Sequence, residues 1–305
     1  MHAIIREGKE MAGGSTLPKR ALGRELRRLR ERSGIRQAAA ARAIEVSPQT
    51  IGRMEDGHAS RPTTLQINGL CDRYGASDEE RRFLLDLLED SRTAKQSGGG
   101  WWRAYADQIP GDFNHYLALE ESATRVTTWQ ETLLPGLLQI PEYRREMIWT
   151  ESPQLAPEDV ERRIAVSEQR MKNLRNSKFE LNALLSEAVL CHGVGGSAVM
   201  PRQLKHLLAV SEAANISVRV VPFRARSLVG LLVRSFVFLE FEMLPNTRLM
   251  DPPVVYVEGF TGSLYLERRE EVVQYRAATE AIERVALSEQ ETRALIAKVA
   301  EEFET

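Results

Sequence analysis

The segment from Ile35 to Glu55 constrains this chain more than any other, because it reads as two short helices separated by a tight turn. The Ala-rich run Arg36 to Ile44 has the composition of a helix. A turn follows through Glu45 and Val46. Ser47-Pro48 then marks a helix start: a serine oxygen accepts from the free N–H groups of a first turn, and proline's fixed φ suits the first helical position. The second helix runs to Glu55 and stops at Asp56-Gly57. In this arrangement Ala41, Ile44, Val46, Ile51 and Met54 share one small core, with Ile51 and Met54 facing inward as an i, i+3 pair. At roughly 100° per residue, Gln49 and Arg53 fall about 200° from Ile51 and, as i and i+4 neighbours, share the outward face.

An outward Gln and Arg on a short capped helix have the chemistry of a major-groove reader. Arginine can bond guanine O6 and N7 together and glutamine adenine N6 and N7, each good bidentate contact giving roughly 1–3 kcal/mol of discrimination. Thr50 flanks the face, placed for a thymine methyl or a phosphate, and Ser47 opens the helix beside it. Gln37, at the start of the first helix of the pair, is placed to bond a phosphate alongside free helix N–H groups. The candidate DNA-contacting residues are therefore Gln37, Ser47, Gln49, Thr50 and Arg53. Gly52 costs about 1 kcal/mol relative to Ala in mid-helix, so a close approach is expected there, by the partner helix or by DNA. The competing reading is an ordinary helical pair with a solvated Gln and Arg. The Ser-Pro cap, the basic surroundings and the helical frame weigh against it.

That frame is legible on both sides. Residues 20–33 carry Leu22, Leu26 and Leu29 on one stripe, with Arg24, Arg27, Arg28 and Arg30 off it and Gly34 as terminator. Helices also fit Thr63 to Tyr74 and Asp78 to about Thr93, the latter opened by a Ser77…Glu80 capping box. From Lys19 to Arg61 there are eleven Lys/Arg against five Asp/Glu, a local charge of +6 in a chain of net −2, so the remainder carries −8. A basic module on an acidic body fits a phosphate-binding head with a regulatory or assembly domain behind it. The expected layout is a flexible leader over 1–18, an all-α five-helix helix-turn-helix domain over 19–94, a Gly/Ser linker over 95–100 and an α+β domain over 101–305.

In that second domain, helical patterns fall near 112–122, 157–175, 200–214, 268–286 and 288–303, the last with a Ser288…Glu291 capping box. Strand-like runs fall at 124–130, 179–190, 216–222, 234–241, 253–258 and 262–266. The aromatic group Trp101, Trp102, Tyr105, Phe113, Tyr116 and Trp129 reads as core before pocket, and Leu133 to Ile140 as a buried turn before a binding loop.

Catalytic readings fare poorly. Gly193-Val194-Gly195-Gly196-Ser197-Ala198 has a G-x-G-x-x-A form, but Pro201 argues that the helix starts after Ala198, and the next strand ends without Asp or Glu. Cys191-His192, read as strand neighbours, would point to opposite faces. Cys71 and Cys191 are expected to be buried, reduced thiols, and the five histidines show no ligand spacing, so neither a cofactor nor a metal is expected and the chain reads as a non-enzyme. No apolar run nears the ~20 residues of a membrane span and residues 1–18 hold no signal core, which points to a cytoplasmic, nucleoid-associated protein.

The pattern Gln37, Ala41, Val46-Ser47, Ile51, Arg53, Glu55, Gly57 resembles the helix-turn-helix of the phage-repressor, or xenobiotic-response-element, class over residues 20–74. Ala40 stands where that class usually has Leu, and Glu45 where glycine usually makes the turn, so strain is expected at residue 45. With Tyr116-Leu117-Ala118-Leu119-Glu120-Glu121, Leu134-Pro135-Gly136-Leu137-Leu138-Gln139 and Val255-Tyr256-Val257-Glu258-Gly259, nearly the whole chain resembles the actinobacterial WhiJ-like transcription regulators. The resemblance implies a transcription regulator that binds double-stranded DNA, often encoded beside small partner proteins, one class of which binds the C-terminal domain of uncharacterised function. It supplies no ligand, and a small-molecule effector at that domain is a separate expectation from the acidic body behind a basic head. A homodimer is expected, because one such module makes few base contacts. Two rivals are an antitoxin-like protein that binds a small partner and represses its own operon, and an enzyme with a DNA-targeting head.

Overall fold

A computed structural model of the chain describes residues 17–57, 62–96, 111–243, 251–259 and 262–304. The chain divides into two compact units, Met1–Leu119 with Met243–Asp251, and Glu120–Glu242 with Pro252–Thr305. The expected leader lies almost wholly outside the described residues, as do Ser97 to Gly100 of the linker and Trp101, Trp102 and Tyr105.

The first unit opens with five helices: α1 (Leu17–Arg32), α2 (Gln37–Ala43), α3 (Pro48–Glu55), α4 (Thr64–Tyr74) and α5 (Asp78–Gln96). α1 buries Leu22, Leu26 and Leu29, and it begins two residues before the expected domain start, with Leu17 and Pro18 buried. α4 carries a capping box between Thr63 and Gln66 that was not anticipated, and ends on Gly75 in the left-handed conformation. α5 has its expected box, with Ser77 N–H donating to Glu80 at 3.0 Å and Glu80 N–H to Ser77 Oγ at 3.2 Å. Gly23 explains how α1 and α3 come together: a Cβ there would lie 2.5 Å from the Met54 carbonyl oxygen. Only glycine fits that crossing.

The second unit is α+β. After α6 (Gly111–Ser122) come β1 (Ala123–Gln130), α7 (Pro141–Glu151), α8 (Pro157–Met171), β2 (Glu180–Ser186), α9 (Glu187–Cys191), α10 (Gly196–Val210), β3 (Ile216–Val221), α11 (Val229–Val233), β4 (Phe236–Phe241), β5 (Val254–Gly259), β6 (Gly262–Leu266), α12 (Arg269–Glu283) and α13 (Glu289–Glu302). The six strands form one sheet in the order β3-β2-β1-β4-β5-β6. β1, β2 and β3 are parallel, joined by helical crossovers as parallel strands require, while β4, β5 and β6 add antiparallel. Trp129, Leu184, Phe236, Phe238 and Val255 of the sheet pack with Val272 and Ile282 of α12. Arg170 and Glu120, both buried, join α8 to the end of α6 through paired bonds of 2.7 and 2.8 Å.

Several local expectations need correction. The run 179–190 is not one strand: Ser186 accepts from Ala188 N–H and turns the chain into α9. Cys191 therefore ends a helix, so the strand-face argument about Cys191-His192 does not apply, and its thiol is exposed rather than buried. Desolvation and the carboxylates of Glu187 and Glu302 push that thiol up, away from a reactive thiolate. α10 begins at Gly196, not near 200, with Pro201 inside it. Buried Val199, Met200, Leu204 and Leu207 hold the helix despite the missing N–H. Ala198 thus lies within the helix, but α9 intervenes between β2 and the glycines, and β3 still ends at Val221-Pro222. α7 and α11 were not read from the sequence at all.

Candidate nucleic-acid interface

α2 and α3 form the helix-turn-helix pair. Ala41, Ile44, Ile51 and Met54 are buried together and Val46 is half-buried. Ser47 caps α3: its hydroxyl accepts from Thr50 N–H at 3.2 Å and lies 2.9 Å from Thr50 Oγ1. The Ser47 and Thr50 hydroxyls are thus engaged with one another at the helix start, half-exposed in Thr50 and exposed in Ser47. Gln49 and Arg53 are both exposed on the face of α3 opposite Ile51.

Behind the exposed face of α3 lies a buried ionic network. Glu55 is 3% exposed. Arg30 of α1 donates to both its oxygens, Nε to Oε1 at 2.5 Å and Nη2 to Oε2 at 2.9 Å. Gln37 Nε2 donates to Oε2 at 3.0 Å. One carboxylate therefore ties the end of α3 to the start of α2 and to α1, which fixes the direction in which the opposite side of α3 presents Gln49 and Arg53. Gln37 keeps one amide N–H beyond this bond, the group it would offer a phosphate. Sequence reasoning placed Gln37 at the interface and did not see Glu55 beneath it. The signal was an acidic residue on the inward side of α3, with Arg30 on the frame helix.

The turn between the helices behaves as its sequence demands. Glu45 sits at φ 55°, in the left-handed region where glycine is at ease, so the strain expected of this departure is carried in the fold. Gly52 has a different status. A Cβ there would stand 3.7 Å from the Gln37 amide, an ordinary contact, so helix packing does not call for glycine at this position.

The arginines of this unit divide into two groups. Arg20 and Arg24 pair with buried Asp251, Arg27 with Asp56, and Arg28 and Arg32 with Glu80. Arg36, just before α2, and Arg42, in its last turn, are exposed, and their side chains make no hydrogen bond or ion pair among the described residues. They are the cations most available to a phosphate. Surface pairs such as Arg28 and Arg32 with Glu80 are worth only about 0–1 kcal/mol, so those arginines can also be drawn to a polyanion.

In the second unit the Leu133 to Ile140 stretch is a buried turn, tied down by Gln203 of α10, which accepts from Ile140 N–H and donates to the Leu138 carbonyl, both at 2.8 Å. Of the aromatic group, Phe113 and Tyr116 stack at 5.3 Å within the first unit, and Trp129 is buried in the sheet of the second. Among the described residues no group of His, Cys, Asp or Glu has the arrangement to hold a metal ion, and no helix is long and apolar enough to cross a membrane.

Comparison with known proteins agrees with this division. Residues 21–84 match the family model of a helix-turn-helix domain, the architecture of a DNA-binding regulator. Neither a curated protein nor a solved structure matches the chain. Residues 113–298, more than half of the chain, match the model described as a domain of unknown function, DUF5753, and the chain belongs to that family.

Proposed function

We propose that the chain is a sequence-specific transcription regulator, acting as a homodimer, whose helix α3 reads bases in the major groove through Gln49, Thr50 and Arg53. The observation that carries this is the joint exposure of Gln49 and Arg53 on a helix whose other side is sealed by Ile51, Met54 and Glu55. Ser47 and Thr50 at the helix start, the remaining N–H of Gln37, and Arg36 and Arg42 supply phosphate contacts that set register without reading sequence. The C-terminal unit senses an effector or binds a partner rather than turning over a substrate. The resemblance to WhiJ-like regulators supports this division of labour, as does the concentration of positive charge in residues 19–61.

Selection from random-sequence duplex DNA tests the reading. The purified chain should enrich a roughly palindromic site with half-sites about one helical turn apart, some 10 base pairs centre to centre. Arg53→Ala should relax the preference at one position of each half-site. Recovery of no common sequence would overturn it. The antitoxin-like alternative shares the DNA-reading step and adds capture of a partner by the C-terminal unit, which makes that unit's surface the informative place to look.

A further inference from the structure

The connection from β3 to β4 holds the densest group of exposed large apolar side chains on the described second unit. Phe223, Leu228 and Leu231 are each 64% exposed and Leu232 is 80% exposed. The opposite side of the same short helix is anchored. Val229 and Val233 pack on the cluster around Trp129 and Phe236. Gly230 lies against the indole, where a Cβ would come within 2.6 Å of Trp129 Cζ2, and its carbonyl accepts from Trp129 Nε1 at 3.1 Å. Arg234 closes the segment at φ 62° and ψ 177°, a region essentially reserved for glycine, and such strain persists only where the surroundings over-determine the backbone. The inward positions are thus held by small residues and the outward positions by leucines, in a segment with a fixed shape. Together the four side chains present on the order of 500 Å², the size of the largest apolar patch on a typical monomer, which is often a functional one.

Charge says what kind of partner fits. Arg224, Arg226 and Arg234 are exposed around the patch, and none makes a hydrogen bond or ion pair among the described residues. Between Phe223 and Leu239 there is no Asp or Glu. Two carboxylates meet this segment directly: Glu187, which accepts from Phe223 N–H at 2.7 Å, and Glu131, which faces Arg234 at electrostatic range only; the short helix also packs on α12, which carries Glu270, Glu271 and Glu280. Elsewhere in the unit Arg125, Arg145, Arg170, Arg202 and Arg276 each hold a carboxylate. A second copy of this chain, docked isologously, would set the same three cations against these. An acidic amphipathic surface would satisfy both the leucines and the arginines, and arginine with large apolar anchors is the composition of interface hot spots.

We propose that this face of the C-terminal unit docks an acidic amphipathic helix of a second protein, its apolar side on Phe223, Leu228, Leu231 and Leu232 and its carboxylates on Arg224, Arg226 and Arg234. The inference rests on reading this unit as the partner-binding half of the regulator.

Fluorescence anisotropy with the full chain tests it. The probe is a labelled synthetic helical peptide with leucines at i, i+3, i+4 and i+7 and glutamates on both flanks; its counterpart has every glutamate replaced by lysine. The glutamate peptide should bind at least about ten-fold tighter than the lysine peptide, and more weakly as salt rises. Leu232→Glu, and separately Arg224→Glu, should each cut that affinity by about ten-fold or more, since losing one leucine anchor or reversing one facing charge forfeits at least that much. Because Leu232 is 80% exposed, its substitution should leave the melting temperature unchanged. Binding of neither peptide, equal binding of both, or binding untouched by either variant would overturn the proposal. So would a dimer that Leu232→Glu converts to a monomer without peptide, which would assign the face to a second copy. A wild-type chain that selects DNA but ignores the peptide loses this docking alone; one that does neither loses the regulator reading as well.

Discussion

Replacing Glu55 with Gln puts the buried network behind α3 to a quantitative test. The change keeps shape and leaves an acceptor for Gln37, but removes the charge that both Arg30 nitrogens address at 2.5 and 2.9 Å. Removing one partner of a buried ion pair typically costs about 3–5 kcal/mol. Here the Arg30 side chain is 13% exposed, with Glu31 at 3.5 Å as a second partner and the Ile35 carbonyl oxygen at 3.2 Å, so the cost should sit lower, near 2 kcal/mol. Hydrogen exchange at the Ile51 and Met54 amides reads the opening of this helical unit rather than of the whole chain. At 1.4 kcal/mol per factor of ten, exchange there should quicken by about 30-fold. A cycle with Arg30→Met should show coupling of about 2 kcal/mol, because each single change already breaks the same pair. Additivity within about 0.5 kcal/mol would refute the reasoning and reduce Glu55 to a residue that happens to be buried near Arg30.

Other consequences follow from the same geometry. Glu45→Gly removes about 1–2 kcal/mol of left-handed strain and adds about 0.5–1 kcal/mol of unfolded-chain freedom, so the unit should gain roughly 0.5–1 kcal/mol by exchange; a loss would mean the Glu45 side chain does more than occupy the turn. The hydrogen bond from Arg32, then that of the Ser77 N–H, holds the Glu80 carboxyl down at about 2 against an ordinary value of 4.5. A depressed folded pKa contributes stability that is present above 4.5 and lost as pH falls toward 2, so the stability gap between the wild type and Glu80→Gln should be constant near neutrality and close across that window in acid unfolding. Arg36→Ala and Arg42→Ala should each weaken specific and unrelated DNA alike and lower the salt slope by about one, measured by titration at several ionic strengths.

What the sequence disclosed and what it hid follow a physical divide. Ser47-Pro48, Ser77…Glu80 and Ser288…Glu291 are local capping signals, and each starts a helix where expected. Gln49 and Arg53 face outward because helical periodicity alone sets their angle from Ile51. The hidden features are long-range. Gly23 means little until Met54 crosses it, and Glu55, one turn on from Ile51 and so on the inward side of α3, names no partner until Arg30 and Gln37 converge on it. The run Val229 to Val233 is apolar throughout, so its pattern does not say which side chains turn inward; only Val229, Gly230 and Val233 do, because Trp129 leaves room for nothing larger at Gly230. α9 was missed for a reason between these extremes: Ser186 gives a fair cap, but it sits in a run of strand-forming residues that outweighs it.

The central claim, that α3 reads sequence, is tested most directly by binding of the purified chain to DNA upstream of its own coding sequence and to an unrelated fragment, across a salt series, with Arg53→Ala alongside. The account predicts tight binding to the upstream fragment that Arg53→Ala loses, over weak and steeply salt-dependent binding to the unrelated one that Arg53→Ala barely changes. Equal, weak binding to both fragments, unaltered by Arg53→Ala, would contradict it and leave the C-terminal unit as the place to look for function.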